Sequence, residues 1–225
     1  MRALITVPVF ALLSFVSLED LTTDDISGPM KKTKTRKCYT PENPIITIGY
    51  ILHGFNFTPG KLDPEFHVWQ SKVLKQANEW LKDYAVSISL QNTTVAQATS
   101  TLSAKIEKWT KKGGRVYPPE ILEYLKADIK KNRKYNPDIF ILVTKVPLTL
   151  YIYGYGSYEP ICHDVVPIFL TYNMKWITDT GDRLGQVILN SIEMNNYNDW
   201  YKMSPEDRNH YFKNCIAQRL GEDYF

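Results

Sequence analysis

Metal-assisted hydrolysis needs side chains that converge on one ion, and imidazoles are the commonest of them. The chain holds four histidines, His53, His67, His163 and His210, and no two of them lie four residues apart. A single helical turn therefore cannot present two of them to a metal. Each has an ordinary reading: His53 ends a strand, His67 sits near a helix start, His163 lies in a loop and His210 on a terminal helix. There is no Gly-x-Ser-x-Gly elbow, and the stretch from Gly154 to Ser157 lacks the strand-to-helix setting that a nucleophilic serine needs. Glycine-rich phosphate loops, paired-cysteine spacings and calcium-loop patterns are also missing from the sequence, so no cofactor is expected.

What the chain offers instead is tyrosine. Fifteen occur, and Tyr151, Tyr153, Tyr155 and Tyr158 cluster in a glycine-rich stretch. Tyrosine gives a large, rigid contact area with a polar tip, which suits protein recognition. The same spacing also suits plain packing along an edge strand.

Three cysteines occur, Cys38, Cys162 and Cys215, so an oxidising compartment would leave one disulfide and one thiol. Three pairings are possible. Cys162–Cys215 is favoured, because both lie in the folded region and Cys38 in its leader.

The elements that must position these groups follow from periodicity. Residues 45–52 form a β-rich apolar run and read as a buried strand. Phe66, Trp69, Val73, Ala77, Trp80 and Tyr84 recur at helical spacing, one face of a long helix. Val86, Ile88 and Leu90 alternate and predict a second strand over 86–95. Residues 96–115 are polar and carry no assigned element. Pro118-Pro119 opens a helix with Ile121, Leu122, Leu125 and Ile129 inward. Residues 138–144 are the central strand, and 165–170 a shorter one. A helix over 176–193 buries Trp176, Thr180, Leu184, Val187, Ile188 and Ser191. Its polar stripe is Asp182, Gln186, Asn190 and Glu193. After a loop over 195–200, a last helix starts at Ser204 or Pro205 and carries Tyr211, Phe212, Ile216 and Leu220. Strands alternating with helices imply a three-layer α/β/α sandwich on a mixed, mostly parallel sheet of about five strands.

Residues 1–17 have the positive start and apolar run of an export signal, too short to span a bilayer comfortably. Residues 18–44 read as a flexible polar leader, and 45–225 as one folded domain. The mature protein is thus expected outside the cell, with no membrane segment. Sequons at Asn92 and Asn56 agree with export, Asn92 being the better acceptor because Pro59 follows the other. A formal charge of +3 is too small to argue for nucleic acid, and the basic run at 31–37 reads as solvated linker.

Three motifs, in order, carry a resemblance. They are Asn136 to Thr144 followed by Gly154-Tyr155-Gly156-Ser157-Tyr158 and Ile161-Cys162; the turn Tyr201-Lys202-Met203-Ser204-Pro205; and Tyr211-Phe212-Lys213-Asn214-Cys215. From about Pro44 to the end, the chain resembles the reprolysin (adamalysin) zinc metalloproteases among the metzincins, with Met203 in the place of their Met-turn. That resemblance implies a helix reading His-Glu-x-x-His-x-x-Gly-x-x-His, in which neutral imidazoles grip zinc and the glutamate activates its water. Aligned on Leu184-Gly185, Asp182 and Gln186 stand where the helix histidines would be, and Ile192 where the third would be. Arg183 replaces the glutamate and Leu189 the bend glycine. A guanidinium accepts no proton and repels a metal, and its expected job is an i, i+4 pair with Asp179.

The resemblance therefore implies a degenerate, catalytically inactive member with no metal. It acts by binding an extracellular, host-derived protein, similar to the metalloprotease-derived salivary proteins of metastriate ticks. In the active family the edge strand lines the substrate cleft and pairs with an extended peptide, which marks the tyrosine cluster as the candidate binding surface. The rival expectation is an active secreted metalloendopeptidase with an altered metal site, Asp182 and a distant histidine serving as ligands.

Overall fold

The structure, a computed structural model, describes residues 43–56, 63–113, 115–132, 137–194 and 196–215. The export signal and residues 18–42 of the leader lie outside the described residues.

A five-stranded sheet of order β2-β1-β3-β5-β4 forms the middle layer. Its strands are β1 (Ile45–His53), β2 (Ser89–Gln97), β3 (Ile139–Thr144), β4 (Gly154–Gly156) and β5 (Val166–Thr171). All pairings are parallel except β4 with β5, so the sheet is mixed and mostly parallel. Every residue of β3 and β5 is buried, as expected where helices cover both faces of a parallel sheet.

Strand alternation divides the core in two. Ile46, Ile48, Tyr50 and Leu52 of β1 pack with Ile139, Ile141 and Val143 of β3 beneath α1 (Pro64–Asp83) and α4 (Ile177–Asn190). Ile51, Phe140, Leu142 and Phe169 face the other way, onto α2 (Ser100–Thr110) and α3 (Pro118–Asn132). The result is the expected three-layer α/β/α sandwich. Helix starts follow ordinary capping chemistry: Asp63 accepts from the Glu65 amide at 3.0 Å, and Thr99 from the Leu102 amide at 3.2 Å.

Four elements differ from the sequence reading. The polar stretch 96–115 holds α2, which buries Leu102, Ile106 and Trp109 at spacings of four and three. Its other positions are polar because one face meets solvent, and that masked the stripe. The second strand begins at Ser89; Val86 and Ile88 are buried in the irregular segment that leads into it. The segment read as a loop over 195–200 holds most of α5 (Tyr197–Lys202), capped by Asn196. The last helix is not continuous: α6 (Pro205–His210), capped by Ser204, gives way to a turn at Tyr211 and Phe212. Ile216 and Leu220 lie outside the described residues.

Candidate functional site

β4 is the antiparallel edge of the sheet, and its rungs show which backbone groups stay open. Ser157 N donates to Pro167 O, and Thr171 N donates to Tyr153 O. Positions 153, 155 and 157 therefore face β5, while Gly154 and Gly156 turn their backbone to the outer edge, where the Gly154 amide donates to Tyr151 O at 3.1 Å. Both glycines are required by packing. A Cβ on Gly154 would lie 2.5 Å from Phe169 O, and one on Gly156 2.5 Å from Val187 Cγ1 of α4.

The tyrosines divide around this edge. Tyr155 lies at its centre, stacked over Phe169 at 6.2 Å, with Tyr151 at 5.0 Å and Tyr158 at 6.4 Å between ring centroids. Tyr153 packs instead edge-to-face on Trp176 at the start of α4, 5.7 Å away. Burial, then the neighbouring hydroxyls of Tyr158, Tyr151 and Tyr117, push the Tyr155 pKa up, with Arg183 opposing. Tyr151 and Tyr158 are 48% and 54% exposed, and the nearby Leu150 and Tyr117 reach 82% and 70%. Beside them a hollow of about 300 Å³ is lined by Leu122, Lys126, Tyr155, Tyr158, Glu159 and Pro167. Lys126 of α3 closes one wall by bridging Glu159 and Asp164.

α4 and the turn after it carry the residues that the zinc expectation concerns. Gln76 Nε2 of α1 donates to Asp182 Oδ1 at 2.8 Å, so this carboxylate ties two helices together. Arg183 Nη1 donates to Gln186 Oε1 at 2.7 Å. The expected ion pair with Asp179 does not form among the described residues, because the carboxamide one turn ahead takes the guanidinium. Ile192 and Leu189 are buried in the core at 4% and 3% exposure. Zinc does not fit this set: one acid already hydrogen-bonded, one amide held by an arginine, and one buried aliphatic.

The histidines do not converge. Asn214 Nδ2 donates to His163 Nε2 at 2.9 Å, and Lys213 Nζ to His210 Nε2 at 3.1 Å. His67 is exposed on α1, and His53 Nδ1 lies 3.4 Å from Ser103 Oγ. Among the described residues, one trio of metal-capable side chains meets, Asp138 with Cys162 and Cys215. Its two sulfurs are joined in a disulfide, the pairing favoured from the sequence. Cys38 lies outside the described residues.

Met203 closes α5 and packs against the core under α1 and α4. The turn around it is clamped by Arg208, which donates to Trp200 O at 2.9 Å, Tyr201 O at 3.0 Å and Ala85 O at 3.3 Å. Trp200 Nε1 also donates to Tyr84 O, at 3.2 Å. Together the two side chains satisfy carbonyls at the end of α1, where Ala85 takes a positive φ of 58°.

Asn92 is exposed on edge strand β2, next to the bulge where the register skips Thr93, whose hydroxyl donates to Ile48 O at 3.2 Å. Asn56 is exposed just after β1; the rest of its sequon, Phe57 and Thr58, lies outside the described residues. No helix among the described residues is long and apolar enough to cross a membrane.

Compared with known proteins, the chain matches no family model and none of the curated proteins.

Proposed function

We propose that the protein is an exported, reprolysin-like molecule without proteolytic activity, and that it works by holding an extended segment of an extracellular protein along β4. One observation carries this reading: the sheet ends in an open antiparallel edge flanked by exposed aromatic and aliphatic side chains. Gly156 turns its backbone groups outward there, and Gly154 its carbonyl, the Gly154 amide being held by Tyr151 O. Tyr117, Leu150, Tyr151 and Tyr158 supply contact area around them. Backbone pairing gives affinity at such an edge, and rigid aromatic anchors give specificity.

The residues of α4 and of the turn after it support the non-catalytic half of the reading. Asp182 is engaged by Gln76, Arg183 holds Gln186, and Ile192 is part of the core. The disulfide and the sequon at Asn92 support an oxidising, secretory route. On the resemblance, the partner is a host protein of haemostasis or immunity.

The catalytic question has a direct test. Elemental analysis of the purified mature protein should find no stoichiometric zinc, and a chelator should leave its melting temperature unchanged, since a bound metal would add stability by mass action. Stoichiometric zinc with a chelator-induced drop in Tm would restore the peptidase reading.

A further inference from the structure

We propose that the protein carries a second binding site, a pocket for a small, uncharged, mainly apolar molecule, between the carboxyl ends of β1 and β3. The sheet topology places it. β1 is followed by β2 on one side, whereas β3 is followed by β4 and then by its parallel neighbour β5, both on the other. The connections leaving β1 and β3 thus part in opposite directions, and the crevice between such strand ends is where open parallel sheets bind ligands.

The structure has a cavity there. His53 and Thr144 are cross-strand partners at the last position of the β1–β3 ladder, and both line a cavity of about 390 Å³. Gly54, Val146 and, from α2, Ile106 and Thr110 complete most of the wall. That volume is at the small end for ligand pockets, and a mainly apolar wall with few polar groups is their usual make-up.

The polar groups define the ligand. Thr144 Oγ1 already donates to Val146 O at 2.8 Å, and Thr110 Oγ1 to Ile106 O at 3.0 Å. His53 engages Ser103 only through Nδ1, which leaves Nε2 as the ring atom for a ligand. Burial lowers the His53 pKa, with Glu107 opposing, and this favours the neutral ring. Glu107, Lys111 and Lys145 also line the wall; Lys145 is already engaged, its ammonium 4.9 Å from the centre of the Phe55 ring, which leaves Glu107 and Lys111 to offset one another. An ion entering would lose hydration without gaining a dedicated counter-charge. A compact apolar body with one hydrogen-bonding group suits the site.

Four probes of one shape test this on the purified full-length mature protein by isothermal titration: indole, benzofuran, indoleacetate and tryptamine. Indole should bind saturably, and both charged probes roughly tenfold more weakly or worse. Benzofuran, which lacks the N–H, should bind several-fold more weakly than indole, and His53→Phe should abolish that difference. Val146→Trp, or Thr110→Trp if the first variant does not fold, should fill the pocket and remove binding, whereas Tyr151→Ala should leave it intact. The proposal is overturned if no probe binds saturably, if the charged probes match indole, or if a folded tryptophan variant binds indole like the parent.

Discussion

Gln76 Nε2 and Asp182 Oδ1 lie 2.8 Å apart, joining α1 to α4. The acid that stands where the resemblance calls for a zinc-binding imidazole is thus used to hold two helices together. Beside it, Gly181 lets the helices approach: a Cβ there would fall 2.5 Å from Gln76 Cβ and 3.0 Å from Val73 O. Gly185 does the same against the Trp80 ring, 2.7 Å from Cε3.

That seam makes the first prediction. Asp182→Ala should destabilise the fold by about 1 kcal/mol, the worth of a half-buried charge-assisted hydrogen bond after discounting for solvent. Gly181→Ala should cost about 1–3 kcal/mol through overpacking against a backbone carbonyl, more than the roughly 1 kcal/mol that alanine gains over glycine in a helix. Urea unfolding followed by tryptophan fluorescence measures both. A Gly181→Ala protein more stable than its parent would mean that α1 and α4 are not in close contact.

Arg208 supports the second. Its guanidinium serves three carbonyls and lies 5.7 Å from the Trp200 ring centre. Arg208→Ala should cost about 2–3 kcal/mol, because charged donors to carbonyls are worth more than neutral ones. Arg208→Lys should recover little of it, since an ammonium cannot reproduce the planar fork. Full rescue by lysine would reduce the clamp to a simple charge effect.

His53 gives a pH dependence. Burial depresses its folded-state pKa below the ordinary 6.5, so the unfolded chain binds the proton more readily. Its contribution to stability is therefore complete above about pH 6.5 and is lost as pH falls through the lowered value. Unfolding midpoints from pH 8 to pH 5 should decline in the parent and decline less in His53→Phe. Parallel curves for the two proteins would remove His53 from the acid response.

How far the chain could be read depended on whether one segment held its own signal. β3 and β5 were legible because both faces are covered, leaving unbroken apolar runs. α3 was legible because two prolines open it and its stripe is complete. α2 was not, since only Leu102, Ile106 and Trp109 mark it among polar neighbours. The separation of Tyr153 from Tyr155 was hidden for another reason. Residues two apart share a face on a regular strand, but Gly154 between them has a φ of 142° and takes the chain off the pleat. His53 could be placed at a strand end, yet the cavity beside it exists only because β1 and β3 become neighbours. The bond from Gln76 to Asp182 likewise spans 106 residues, beyond any local pattern.

The most direct test of the binding account uses the glycosylated mature protein as bait in plasma, beside a variant carrying Tyr151→Ala, Tyr155→Ala and Tyr158→Ala. Captured proteins and newly formed amino termini are read together by mass spectrometry. The account predicts one protein retained in stoichiometric amount by the parent, at least tenfold less by the folded variant, and no new termini. Equal retention by both proteins, or chelator-sensitive cleavage of the captured protein, would contradict it.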